Sequence, residues 1–266
     1  MNKPSTWKFS PALQASAALH LGAVAAWGSG VPWPWALGAV AVNHAVLTAA
    51  GLWPRSTLLG ANMLTLSAQA QQARQIALTI DDGPNPQVTP AVLDILDAFK
   101  VTASFFCVGK AVEEHPQLAR DIVRRGHSIE NHSYAHRHHF SLMGVVSLRS
   151  QITHAQDAIA QITGRAPQFF RAPAGLRSPL LDPVLQSLDL KLVTWTRRGL
   201  DTITSDPRVV LRRLENRMAP GDILLLHDGN CALTVEGQPV VLSVLPQFLG
   251  NMQRQGISVV SLRNAA

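Results

Sequence analysis

The run Gln75-Ile76-Ala77-Leu78-Thr79-Ile80-Asp81-Asp82-Gly83-Pro84 is apolar up to Ile80 and ends on two adjacent carboxylates and a turn. Its length and flanks predict a buried strand at 76–80, broken by Asp-Asp-Gly-Pro. Two acids at the exit of a buried strand are costly unless a cation or base accompanies them. Alone, the pair would read as a solvated Asx-turn. It gains meaning from the residues further along the chain.

Beyond it, short apolar runs alternate with segments of helical periodicity, the pattern of β/α units. Further strands are expected at 103–108, 128–130, 169–172, 191–194, 223–226 and 258–262. Thr89-Pro90 opens a helix that runs through Phe99, as N-cap and first-turn proline. Leu148, Ile152, Ala155, Ile159 and Ile162 give another helix one apolar face. The fold expected is α/β, a parallel sheet of about seven strands, open or closed into a barrel.

The polar clusters sit at strand exits, where such folds assemble their chemistry. Asn131-His132-Ser133-Tyr134-Ala135-His136, with His138 and His139 after it, comes after the 128–130 strand. Two His four apart on one helical turn can aim at one ion, and one Asp completes a two-His, one-carboxylate site. Arg171-Ala172-Pro173-Ala174-Gly175 comes after Phe169-Phe170, and His227-Asp228 ends Leu224-Leu225-Leu226. Singly, each has a bland reading as a surface or satisfied core residue. One pocket gathering all four favours a site.

In this order and spacing the motifs TIDDGP, HSYAH, RAPAG and LLLH resemble those of the polysaccharide deacetylase family, the NodB homology domain of carbohydrate esterase family 4. The resemblance covers residues 75–266 and implies a distorted (β/α) barrel that removes acyl groups from N-acylated amino sugars. It implies one divalent ion, zinc by preference with cobalt, nickel or manganese as alternatives, held by Asp82, His132 and His136. Asp81 then matches the general base, His227 the general acid, Arg171 the residue that orients Asp81, and Asp201 the acid paired with His227. Pro173, Ala174 and Leu226 match substrate-side positions, with the Ala174 amide in the oxyanion site. The chain departs from the family's pattern in two places. An aromatic residue is usual where Ala172 or Ala174 stands, and Trp195-Thr196-Arg197-Arg198-Gly199-Leu200-Asp201-Thr202 lacks the customary second Asp-Trp pair.

Upstream, residues 9–54 contain no Asp, Glu, Lys or Arg. Gly28-Ser29-Gly30-Val31-Pro32-Trp33-Pro34 divides this stretch into two spans, 11–27 and 35–53, and predicts a transmembrane helical hairpin. Trp27, Trp33, Trp35 and Trp53 suit an interfacial belt. A single anchor followed by an interfacial helix is the alternative, and residues 56–66 are apolar enough to lie along a membrane. A cleaved signal ending near Ser67-Ala68-Gln69-Ala70 is disfavoured by its excessive apolar length. Residues 1–74 are thus expected to be anchor and linker in a bacterial inner membrane, with the side of the catalytic domain open.

The charge of +6 does not mark a nucleic-acid binder. Of the 23 Lys and Arg, Lys3, Lys8, Arg55 and Arg74 precede the first acid, and the rest are nearly matched by 17 Asp and Glu. No basic stripe remains to track phosphates. Cys107 and Cys231 form no CxxC pair and settle no compartment. Deformylation of a lipid-linked sugar keeps the same chemistry with another acyl group. A non-catalytic carbohydrate-binding protein should have lost an ionisable group, and none of the six motif positions has.

Overall fold

The computed structural model describes residues 9–266. Two helices, α1 (Pro11–Gly28) and α2 (Trp33–Leu52), come first. Ser10 caps α1 by accepting from the Leu13 N–H, and Gly30, at φ 94°, turns the chain between them. They pack together through Asn43 to Ser16 Oγ (2.8 Å) and through the His20 and His44 Nε2 atoms, 3.2 Å apart. Of the two, only α2 is long and apolar enough to cross a membrane by length and composition. Lys3 and Lys8, two of the four basic residues ahead of the first acid, lie outside the described residues.

After the short α3 (Ala68–Gln72) the α/β fold runs β1 (Gln75–Asp81), α4 (Thr89–Phe99), β2 (Ser104–Cys107), α5 (Gly109–Glu114), α6 (Pro116–Arg124) and β3 (Ser128–Asn131). Then come α7 (Val145–Thr163), β4 (Phe169–Phe170), α8 (Leu181–Ser187), β5 (Lys191–Leu192), β6 (Arg197–Arg198), α9 (Pro207–Glu215), β7 (Ile223–His227), α10 (Val240–Gln255) and β8 (Ser258–Val260). The strands are parallel, in the order β5-β4-β3-β2-β1-β7-β6, with β8 on the N-terminal half of β1. This is an α/β half-barrel of seven parallel strands plus β8.

The two faces of β1 show how the sequence builds it. Ile76, Leu78 and Ile80 point outward into the main core with Val92, Leu96, Val244 and Phe248. Ala77 points inward with Phe106, Phe169, Val193 and Ile223, and the pleat puts Thr79 and Asp81 on that same inner face. The buried strand therefore carries its polar groups into the barrel mouth rather than into the helical layer.

Three expectations are corrected. The strand β6, Arg197–Arg198, is absent from the sequence reading because neither residue is apolar; it forms because it pairs with Leu224 and Leu225 of β7. The expected strands 169–172 and 191–194 shrink to two residues each. Val193 keeps a bond to the Phe170 carbonyl, but the edge beyond β4 is shared with Met63 (Met63 N to Leu192 O, 2.9 Å; Thr194 N to Met63 O, 3.2 Å). Hence residues 56–66 do not form an interfacial helix. Leu59 and Leu66 are buried, the Leu66 N–H bonds to Gly221 O, and the segment covers the β5 edge that would otherwise be open.

Candidate active site

The four motifs meet at the C-terminal mouth of the barrel. Asp82 comes directly after β1 at φ 76°, a left-handed turn that swings its carboxylate across the mouth. Its Oδ1 lies 3.3 Å from His132 Nε2 and 3.2 Å from His136 Nε2. Gly229 packs under this turn so closely that a Cβ there would sit 2.2 Å from the Asp82 carbonyl oxygen. His132, directly after β3, is buried, and its Nδ1 lies 2.8 Å from the Arg171 carbonyl. That acceptor requires the proton on Nδ1 and leaves the Nε2 lone pair facing Asp82.

The two imidazoles converge differently from the expectation. Residues 132–136 form no helical turn; Ser133 (φ 63°) and His136 (φ 44°) are both left-handed, and Ser133 Oγ accepts from the His136 N–H. Asn131 fixes the loop, accepting from the Ser133 N–H and donating to the Ile152 carbonyl. The rings end 4.9 Å apart. His138 and His139 are exposed, and His127 lies buried at the opposite end of β3.

Asp82, His132 and His136 place one ligand atom each within 4.8 Å of the others. Two nitrogens and one oxygen around an ion at about 2.0–2.2 Å would lie about 3.3 Å apart on a tetrahedral edge, close to the spacings here. Asp82 Oδ1 is buried and makes no hydrogen bond among the described residues. Against the upward push of burial, His132, His227 and His136 hold its carboxyl well below the usual carboxylate range. The trio fits a divalent ion with room for further ligands.

Asp81, beside it, is held from within the barrel. Arg171 Nη1 donates to Asp81 Oδ1 (2.6 Å) and to Thr79 Oγ1 (2.7 Å), its Nε to the Val193 carbonyl, and its guanidinium lies 4.0 Å above the Phe106 ring. Arg171 is fully buried, and burial pulls its pKa down while Asp81 opposes this. Asp81 Oδ2 is 3.9 Å from His132 Nε2, at the edge of the ligand trio.

On the other side, His227 ends β7. Asp201 Oδ1 lies 2.9 Å from His227 Nδ1, and its Oδ2 accepts from the His227 backbone N–H at 2.7 Å. Burial works against a charged ring, yet Asp201, Asp81 and Asp82 raise the His227 pKa overall. Nε2 is left as the nitrogen that can give up a proton. Residues 195–202, which depart from the family's pattern, still deliver Asp201 to the partner position.

One substrate-side expectation is corrected. Leu226 shares the outer face of β7 with Leu224, fully buried in the main core and opposite His227, so its side chain packs in the core rather than lining the mouth. Ala172 is buried among Phe140, Phe170 and Leu181. Pro173 is buried too, whereas Ala174 is exposed, at φ 55°. Next to it Gly175 packs against Trp195, whose Cη2 would be 2.6 Å from any Cβ. Trp195 thus sets an aromatic ring behind this loop, with Arg171 and Arg198 at 5.8 and 5.4 Å from it.

Sequence reasoning missed Thr79 and Asp228. Asp228 is buried beneath Gly83 and accepts from Thr89 Oγ1 at 2.5 Å. Burial, with Asp82 nearby, pushes its pKa up to about 7. Its position directly after His227 was the available signal.

The profile described as Polysaccharide deacetylase matches residues 68–193. A chitooligosaccharide deacetylase of Azorhizobium caulinodans is 34% identical over 160 residues, covering 60% of this chain and 76% of the relative. A peptidoglycan-N-acetylglucosamine deacetylase of Bacillus cereus is 28% identical over 189 residues, 70% of this chain and 85% of the relative. The solved peptidoglycan deacetylase PdaC of Bacillus subtilis superposes with a TM-score of 0.64 at 26% identity, covering 72% of this chain and 89% of that one. With the barrel mouth carrying every motif in place, the chain belongs to the polysaccharide deacetylase family and is a carbohydrate deacetylase.

Proposed function

We propose that the protein hydrolyses the N-acyl group of an amino sugar in a membrane-proximal glycan or lipid-linked saccharide, using one divalent ion held by Asp82, His132 and His136. The observation that carries the reading is the buried, unbonded Asp82 Oδ1 between two imidazole nitrogens, flanked by an acid and a base that each have an orienting partner. Bound there, an ion, zinc by donor type, would supply Lewis acidity to a water and to the acyl carbonyl. Asp81, aimed by Arg171, takes the proton from that water as it attacks the carbonyl carbon. By the family resemblance, the Ala174 N–H would face the developing oxyanion. His227, held by Asp201, delivers its Nε2 proton to the nitrogen as the C–N bond breaks, so that water and amide become a carboxylic acid and a free amine.

Acetyl is the acyl group favoured by the activities named for the relatives, on chitooligosaccharide and peptidoglycan. The membrane part of the reading rests on α2 and on how it meets the domain. Gly51, near its C-terminal end, approaches so closely that a Cβ would lie 2.3 Å from the Arg177 carbonyl oxygen, and the Arg177 N–H bonds to Gly51 O. Arg177 is two residues beyond the Pro173–Gly175 turn. A hairpin of α1 and α2 in a bacterial inner membrane would therefore hold the pocket against the bilayer without a loose tether.

The test is acyl release and metal content measured together. Purified protein should carry one divalent ion per chain and free acetate from N-acetylated amino-sugar substrates, preferring lipid-linked ones in membranes. A metal-loaded protein that releases no acyl group from soluble or lipid-linked substrates would refute the reading. A carboxy-terminal reporter at Ala266 establishes which side of the membrane the domain occupies.

A further inference from the structure

Where α2 meets the catalytic domain, a cleft of about 270 Å³ opens between the helix and two loops of the active-site rim. One loop, at Ser141 and Leu142, comes just after the His136–His139 segment, and the other, Leu176 to Pro179, directly continues the Pro173–Gly175 turn. From α2 come Leu47, Leu52, Thr48 and His44. The wall is thus mainly apolar, and Leu142 stands 85% exposed at its edge.

One group in this wall is out of keeping with an apolar cleft. Arg177 is 5% exposed, and its Nε is buried with no hydrogen-bond partner among the described residues. The guanidinium reaches the Ser56 carbonyl, and Asp182 offsets its charge through space. Burial still pulls its pKa down. A buried, incompletely bonded guanidinium is costly to keep, and an anion that accepts from it recovers that cost. Guanidinium matches phosphate oxygens better than any other side chain does.

We propose that this cleft binds the phosphate of a lipid phosphate, with Arg177 on the phosphate oxygens and the chain along Leu47, Leu52 and Leu142. Because the cleft borders both catalytic loops, a sugar esterified to that phosphate would extend toward Asp82 and His227. This deepens the membrane-proximal reading of the same site and rests on it. α2 supplies one wall, so the same helix that reaches the bilayer guides the lipid to the barrel mouth.

The test is direct binding, which does not depend on turnover. The full chain in uncharged detergent micelles is titrated with dodecyl phosphate, with dodecyltrimethylammonium and with inorganic phosphate, monitored by Trp fluorescence. Dodecyl phosphate should bind saturably, and Arg177→Gln should weaken it about tenfold or more. Because the Arg177 side chain also holds the Ser56 carbonyl, Leu142→Glu is the second variant. Its side chain is exposed, so the fold should survive while the new carboxylate repels the phosphate. Inorganic phosphate binding as tightly as dodecyl phosphate would overturn the lipid assignment. So would equal affinity in wild type and both variants, or equal binding of the cationic amphiphile. Acetate release from soluble substrates in the same preparations separates these outcomes, since a failed cleft leaves it intact while a failed deacylase reading abolishes it.

Discussion

Asp201→Asn isolates the half of the mechanism that gives a proton to the leaving nitrogen. Asp201 accepts twice from His227, at the backbone N–H and at Nδ1 (2.7 and 2.9 Å), and is fully buried. Asparagine keeps the size but has one accepting oxygen, and its NH₂ must then face an N–H. Hydrogen bonds to charged groups contribute about 1.5–3 kcal/mol, and each pKa unit is about 1.4 kcal/mol. The His227 pKa, raised in the wild type by Asp201 first among its carboxylate neighbours, should therefore fall in the variant. A general acid works only while protonated, so activity is present below its pKa and lost as pH rises through it. The alkaline limb of kcat should move to lower pH, with a loss of about tenfold to hundredfold on the alkaline side, the rate equivalent of the lost hydrogen-bond energy. The assay is a pH–rate profile of acetate release, with metal content measured in parallel. An unmoved alkaline limb, or metal loss matching the rate loss, would refute the assigned role.

His132→Ala and His136→Ala should each lose the ion from the purified protein, beyond the roughly 10–100-fold weakening typical of residues behind the ligands; unchanged metal content in either disproves the trio. Acid stability should depend on His127, whose ring accepts from the Ala103 N–H beside Phe105 and whose pKa burial pushes down to about 4. An unfolded His takes up its proton near 6.5, so native stability is full above that value and falls by up to roughly 3 kcal/mol toward pH 4. His127→Gln should flatten that part of the melting temperature against pH, and an identical slope in both proteins contradicts it. A chain beginning at Gln75 should be unstable, because Leu59 and Leu66 are buried and their burial contributes roughly 3–6 kcal/mol. Cooperative melting of that truncated chain at the full-length temperature would show the linker to be dispensable.

The barrel and the membership of the candidate trio were legible because strand patterning and motif chemistry are local. A β1 that alternates outward Ile76, Leu78 and Ile80 with inward Ala77 and Thr79 carries its acids to the mouth by pleat alone. Residues whose state depends on distant partners were not legible. Arg197 and Arg198 form a strand only because β7 offers its edge, and residues 56–66 look membrane-seeking until the β5 edge receives Met63. Ala172 stands where the family usually has an aromatic residue, and α7 and α8 bury it. The convergence of His132 and His136 came from left-handed residues in a loop, not from the helical turn that their spacing implies.

Asp81→Asn, measured for metal content and acyl release in one preparation, probes the mechanism most directly. Asp81 is outside the ligand trio but receives the Arg171 hydrogen bond, and an amide in its place cannot take a proton from water. The variant should retain one divalent ion per chain, as expected of the wild type, while acetate release falls about 10²–10⁴-fold. Near-normal release with the ion in place, or loss of the ion along with activity, would contradict the division between metal-holding Asp82 and proton-accepting Asp81.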